Sequence, residues 1–500
     1  MMDRKNQPSI KPLKKKGGGV WGGREPPPQE FTLEEGSIRF PRCLLSFLGV
    51  VLVSGCSLTP DFPLPEPPIP NQWPVEQGSG VADVKLPVWR SVYAHPQLQE
   101  VIAAALESSR DLRAAVARME KAAAVLGVAG SSRLPTVQGD AMLQAVRTPG
   151  DLSFTGQSVV MHRKDIGISL PAFELDFWGR LQSLEDAALG TYLANEETVR
   201  ALRIVLIAQV METYLGWREL SERIILARAG LETQQELRNL AEKRVGAGVS
   251  AAQSELRAAM AVEGSRAELA ELRRQESLAY NALRLLIGET LDASIPLVKL
   301  SELDFGMPFR LAMPARVLVS RPDVRAAEYR LEAANANVGA ARAAFWPRIV
   351  LTTSVGTASQ ELSGLFQPGS ATWSFVPKLD VPIFDFSRRE NELSAVKAER
   401  SAVLAEYEKV LQQAFREVAD ALTSRGVLLE RLRAVTTARE TQQARLNLIQ
   451  ERCKAGLDGK QELLAAQQEL YATEQQVQSA QRMVLVNQVA LYKALGGGVE

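Results

Sequence analysis

The stretch "DLRAAVARMEKAAAVLGVAGSSRLPTV", Asp111 to Val137, returns about 210 residues later as "DVRAAEYRLEAANANVGAARAAFWPRI", Asp323 to Ile349. Arg113 answers Arg325, Arg118 answers Arg330, Glu120 answers Glu332 and Pro135 answers Pro347. The correspondence continues in order. "LPAFELDFWGR" around Pro171 matches "VPIFDFSRR" around Pro382, with two residues fewer in the second copy. "RVGAGVSAAQSEL" from Arg244 matches "RCKAGLDGKQELL" from Arg452, and "NALRLLIG" ending at Gly288 matches "VALYKALG" ending at Gly496. A self-match at nearly constant offset marks a tandem duplication, so one structural pattern is read twice.

Each copy contains two alternating segments. Val137, Gly139, Ala141, Leu143 and Ala145 share one face, with Gln138, Asp140 and Gln144 on the other. Ile166, Ile168 and Leu170 stand opposite Asp165 and Ser169. "PRIVLTTSVG" and "WSFVPKLDVPIF" behave likewise, with Phe375, Leu379 and Val381 opposite Lys378 and Asp380. Alternation of period two over about ten residues is the pattern of a membrane-barrel strand; edge strands of a soluble sandwich are the other reading. Four strands per chain cannot close a barrel, so a barrel needs several chains.

The remainder of each copy is helical. About Phe177 to Arg244, and about Ser387 to Cys453, are nearly free of Pro and rich in Ala, Leu, Glu, Arg and Gln. Roughly 65 residues at 1.5 Å each make a rod on the order of 100 Å long. Both rods break at glycine-containing turns (Gly246 and Gly248; Gly456 and Gly459) and return as helices of roughly 40 residues. The spacing of Leu404, Leu411, Val418, Leu422 and Leu429 is a coiled-coil seam.

Ahead of the repeats lies "PRCLLSFLGVVLVSGCSLTPDF" from Pro41. Its apolar run is far shorter than the roughly 20 residues of a spanning helix. Basic residues before it and small residues after it describe a secretory signal, and Val53-Ser54-Gly55-Cys56 resembles a lipobox that would place a lipid on Cys56. Residues 1–37 read as a disordered leader or a mis-assigned start, 38–55 as the signal, 56–95 as an extended anchor segment and 96–288 as the first repeat. A connector spans 289–313, the second repeat 314–496 and a tail 497–500.

Composition narrows the function classes. Fifty-eight basic and fifty-eight acidic residues cancel, which removes the usual footprint of a nucleic-acid binder. Cys43 leaves with the signal and Cys56 is acylated, so Cys453 is the one free thiol and no intrachain disulfide forms. His95 and His162 are the only histidines, too few for a His-based metal site or a Ser-His-Asp triad. No catalytic, metal or cofactor residues are expected. No run after the signal is long enough to span as a helix, so any membrane crossing must be made by strands.

In this order, "CSLTPDFPLPEPPIPNQW", the corners "ELDFWGR" and "PIFDFSRR", the tips "RVGAGVS" and "RCKAGLD" and the terminal "LYKALGGG" resemble the TolC-type outer-membrane efflux channels, in particular their OprM-like (NodT-type) lipoprotein branch. The resemblance implies an α+β membrane protein. Three chains would share a twelve-stranded β-barrel, continued by an α-helical tube across the periplasm. The implied partners of this homotrimer are a periplasmic adaptor, an inner-membrane transporter of the resistance-nodulation-division type and outer-membrane lipid. The implied location is the outer membrane, lipid-anchored and reaching into the periplasm. The implied role is the passive exit channel of a tripartite pump for drugs or other toxic small compounds. Few His and scattered Met disfavour a copper or silver cargo. The resemblance also marks strand-to-helix corners at Asp176, Gly179, Asp385 and Arg388, and a periplasmic gate at Asp458 and Glu462. A further acid of the family falls at Ala465, and Cys453 replaces an aromatic as a small filler. Residue chemistry alone predicts that Asp458 caps the returning helix in a capping box with Gln461, and that it shares a helical face with Glu462 if the helix has already begun there. The alternative is a non-channel periplasmic coiled-coil lipoprotein scaffold or adaptor, for which alternating strands are not expected.

Overall fold

The computed structural model describes residues 57–74, 88–288, 298–305 and 314–498. The leader, the signal segment, Cys56 and most of the connector lie outside these residues.

Helices α1 (Pro96–Ser108) and α2 (Arg110–Ser131) lead into strands β1 (Gln138–Thr148) and β2 (Val159–Leu175). Helix α3 (Arg180–Gly246) and its return α4 (Ala252–Ile287) form the first hairpin. The second copy follows the same order: α5 (Pro322–Ala343), β3 (Arg348–Ser359), β4 (Ala371–Asp380), α6 (Arg388–Lys454) and α7 (Lys460–Ala494). The two long helices have 67 residues each, matching the expected rods. No helix among the described residues is long and apolar enough to cross a membrane.

The strands make one antiparallel sheet in the order β1-β2-β3-β4, so β2 joins β3 across the boundary between the repeats. All four strand–helix junctions lie at one end of the sheet, and the short turns between β1 and β2 and between β3 and β4 lie at the other. A bulge between Leu170 and Phe173 advances β2 by three residues while β3 advances by two. It accommodates one of the two extra residues in the first copy.

No residue of β1 to β4 is buried within the chain. The core lies instead among the helices. One cluster joins Tyr93, Leu98 and Ile102 to Val210, Tyr214 and Leu215 of α3, Leu283 of α4, and Val489 and Tyr492 of α7. A second joins Val324 and Leu331 of α5 to Leu411, Val418 and Leu422 of α6 and Leu491 of α7. Three of the five predicted seam residues are therefore in this core, while Leu404 and Leu429 are half-buried. Complete burial of each such side chain contributes about 1.5–3 kcal/mol. Residues 57–74 run along α5 and α6. Asn335 donates to the Pro60 carbonyl (2.9 Å), Trp73 stacks on Phe415 (5.2 Å between centroids) and Arg400 lies over the Phe62 ring (4.3 Å).

Candidate functional site

The register divides the sheet into two surfaces. Ala141 pairs with Ile166, which pairs with Thr357, and Ile168 pairs with Val355, which pairs with Trp373. One face therefore carries Gly139, Ala141, Leu143, Ile166, Ile168, Leu170, Leu351, Val355, Trp373, Phe375 and Leu379. The other carries Gln138, Asp140, Gln144, Arg163, Asp165, Ser169, Thr352, Ser354, Ser374, Lys378 and Asp380, with a few apolar side chains such as Met161 among them. The charges on this second face are partnered. Arg163 holds Asp165 at 2.8 Å, Lys378 holds Asp380 at 2.8 Å, and Ser169 donates to Asp140. A sheet with an apolar face, a polar face and no core beneath either suits a wall between lipid and water.

The corners turn the strands into helices. Gly179 precedes α3 with φ +67°, where its lack of a Cβ removes the steric cost, and Asp176 accepts from the Gln182 amide (2.8 Å) to satisfy the helix start. Arg180 grips Glu174 with two hydrogen bonds of 2.8 Å, and the Trp178 indole donates to the Pro347 carbonyl (2.9 Å) while stacking on Trp346. In the second copy the same left-handed backbone falls on Phe386 (φ 55°) and Ser387 (φ 64°), which have side chains and bear the strain. Asp385 pairs with Arg389 at 2.6 Å, whose hydrogen bonds hold its carboxyl below the usual range. Arg388, the arginine expected at this corner, is exposed and 3.7 Å from Glu392.

At the far end both hairpins turn alike. Gly248 (φ +71°) and Gly456 (φ +73°) supply the left-handed residue, after which the Val249 and Leu457 amides donate to the Arg244 and Arg452 carbonyls, both at 2.9 Å. Gly246 ends α3 in helical conformation, and Gly459 is the extended N-cap of α7. Asp458 thus lies before the helix, and no side chain caps α7. The capping-box expectation is corrected, together with the shared helical face: the Asp458 carboxylate is taken by Arg452, at 2.7 and 2.9 Å, instead of by backbone amides. These hydrogen bonds hold its carboxyl below the ordinary range. Glu462 is exposed, 3.5 Å from Arg445, which also binds Glu469. The counterparts Ser250 and Ser254 hydrogen-bond to each other at 2.7 Å and carry no charge. Two contacts tie the hairpins together here, Arg244 to Gln461 (2.8 Å) and Lys460 to Glu236 (2.9 Å). Cys453 is a partly exposed free thiol in the last turn of α6, and Ala465 is half-buried in α7.

Arg452 and Arg445 escaped the sequence reading. Arg452 stands six residues before Asp458 across a tight turn, a legible signal. Arg445 reaches Glu462 only because the hairpin closes.

The model of the outer membrane efflux protein family matches this chain over residues 101–289 and again over 313–497, once in each repeat. The toluene efflux pump outer membrane protein TtgF of Pseudomonas putida is 40% identical over 466 residues, covering 91% of this chain and 96% of that one. Outer membrane protein OprJ of Pseudomonas aeruginosa is 37% identical over 466 residues, covering 92% and 97%. The open-state MtrE outer membrane channel of Neisseria gonorrhoeae is similar in structure, with a TM-score of 0.79 at 33% identity over 89% of this chain and 98% of that one.

Proposed function

The chain belongs to the outer membrane efflux protein family, and on that premise we propose that three copies build one passive exit duct. It is an outer-membrane channel protein of efflux, with strands for the membrane and paired long helices beyond them. The observation that carries the trimer is the sheet itself: four strands with two open edges, β1 and β4, and no buried residue. Open edges and an unsupported apolar face are stable in a membrane only after closure. Three such sheets supply twelve strands. The tube delivers cargo received from a periplasmic adaptor and an inner-membrane transporter, which supplies the energy, so the duct itself performs no chemistry. Toxic small organic compounds, apolar solvents included, are the cargo. Purified protein in a planar bilayer is expected to give large steady pores, and native mass spectrometry three chains. A folded monomer without conductance would overturn the reading and favour a scaffold.

At the closed tip, Glu462, with Asp458 second, lends the opening its cation preference, because threefold symmetry gathers carboxylates around a narrow aqueous passage. Arg452 holds Asp458 at 2.7 Å, whereas Arg445 stands 3.5 Å from Glu462 and is shared with Glu469, which leaves Glu462 as the stronger contributor. Reversal potentials under a salt gradient should show cation preference falling severalfold in Glu462→Gln and less in Asp458→Asn. An unchanged double variant would place the selective ring elsewhere. With its carboxyl held low, Asp458 remains charged as pH falls through the ordinary carboxylate range, and its pairing with Arg452 is lost only below that.

Cys56, outside the described residues, is the proposed lipid attachment point. Cys56→Ala should abolish metabolic palmitate labelling, and undiminished label would sink the assignment. The barrel already inserts, so the lipid serves sorting and orientation more than retention.

A further inference from the structure

The apolar face of the sheet ends in unpaired positive charge. Along β2 this face runs through Leu175, Phe173, Leu170, Ile168 and Ile166, about the ten residues a tilted strand needs to cross the hydrocarbon. The next residue outward on the same face is Lys164, opposite Leu143 of β1 and Ser359 of β3. His162 follows opposite Ala145, and then comes the level of Val160 and Arg147. Lys164 and His162 are therefore successive residues on this face of β2, and Arg147 is the diagonal neighbour of His162 on β1, each step roughly 7 Å. They lie toward the turn end of the sheet, away from the helices. Trp373, two levels below Lys164 on this face and level with Ile168, is 78% exposed, and its amphipathic ring suits the acyl–headgroup boundary.

The pairing of charges differs between the two faces. Arg163, between His162 and Lys164 in sequence, points to the polar face and holds Asp165. Arg348 holds Glu174 at 2.5 Å, and Lys378 holds Asp380. Among the described residues of one chain, the side chains of Arg147 and Lys164 make neither an ion pair nor a hydrogen bond, whereas their backbones are paired in the ladder. A free cation beside an apolar band is costly unless the membrane supplies its counterion.

We propose that Arg147 and Lys164, with His162 between them, seat the phosphate of a phosphorylated lipid headgroup in the outer leaflet. The inference rests on the barrel reading, which places this face against lipid. Arg offers a planar fork to phosphate oxygens and Lys a point charge, so the pair can hold a phosphate monoester while the acyl chains lie along Ile166, Ile168 and Trp373. Such a seat fixes the depth and tilt of the barrel in the membrane.

The test is native mass spectrometry of the purified full assembly titrated with bis-phosphorylated lipid A, dephosphorylated lipid A or inorganic phosphate. Two juxtamembrane cations predict that Arg147→Gln/Lys164→Gln binds lipid A about thirtyfold more weakly than wild type. Arg147→Lys/Lys164→Arg keeps the affinity, and Arg163→Gln, on the other face, leaves it unchanged. Equal lipid A binding by wild type and the Gln pair overturns the proposal, as does binding of dephosphorylated lipid A or free phosphate as tight as that of lipid A. Quenching of Trp373 by brominated lipid, read against Trp373→Phe, separates the two premises. If Trp373 is not quenched, the lipid-facing assignment fails; if it is quenched while the Gln pair still binds fully, only the phosphate seat fails.

Discussion

Gly356→Val is expected to prevent assembly of a stable barrel. Gly356 of β3 lies directly opposite Gly167 of β2, where the two repeats meet. A Cβ on Gly356 would overlap the Ile166 carbonyl oxygen and approach the Gly167 Cα to 2.6 Å. A Cβ on Gly167 would in turn come within 2.7 Å of the Val355 carbonyl oxygen. Both obstacles are backbone, which cannot rotate away as a side chain can, and the ladder on either side holds the strands together. Ordinary overpacking costs about 1–3 kcal/mol; here the cost is at the upper end or beyond, and the proposed threefold assembly would repeat it. Heat-resistant oligomer on electrophoresis should fall to a small fraction of wild type. Thr357→Val, one residue along, removes a buried hydroxyl that has no partner among the described residues and should leave the oligomer intact. Wild-type oligomer yield in Gly356→Val would contradict the close approach of β2 and β3.

Arg321→Met is expected to lower stability by about 2–4 kcal/mol without altering the sheet. Only 5% of Arg321 is exposed, and its guanidinium ties three elements together. It donates to Asp323 at the start of α5 (3.0 and 2.7 Å), to Glu417 of α6 (2.9 Å) and to the Ala494 carbonyl at the end of α7 (2.6 Å). Burial alone would lower its pKa, but the two carboxylates outweigh burial and keep it charged. Its removal leaves a helix-end carbonyl without its donor and two neighbouring carboxylates without their cation. Asp323 and Glu417 retain some solvent, which keeps the loss below that of a wholly buried pair. The thermal midpoint should fall by several degrees. Adding Glu417→Gln should recover part of the loss, because the orphaned charge is then gone. A double variant no better than the single one would show that packing, not charge, sets the effect.

Much of this architecture is legible without coordinates because its signals are local. Alternation of period two puts Ile166, Ile168 and Leu170 on one face whatever lies beside them. Long Pro-free stretches propagate as helix, and Gly248 and Gly456 allow the left-handed turns that end them. Duplication adds a second reading of each signal, so that Asp176 and Asp385 explain each other.

The two repeats, the four strands, the two long hairpins and the positions of their turns follow from the amino-acid order, since each depends on residues within a few places of one another. Folding in three dimensions settled that β2 lies beside β3 with Gly167 facing Gly356, that Arg389 and not Arg388 takes Asp385, and that Asp458 is claimed by Arg452 before it can cap a helix. It also decided that Arg321 gathers Asp323, Glu417 and Ala494, and that the side chains of Arg147 and Lys164 have no ion-pair partner among the described residues of the chain while Arg163 is paired on the other face. Such outcomes are competitions among several chemically suitable partners, some in segments far apart along the chain. Distance in space, fixed by the packed helices and the strand register, settles which partner wins.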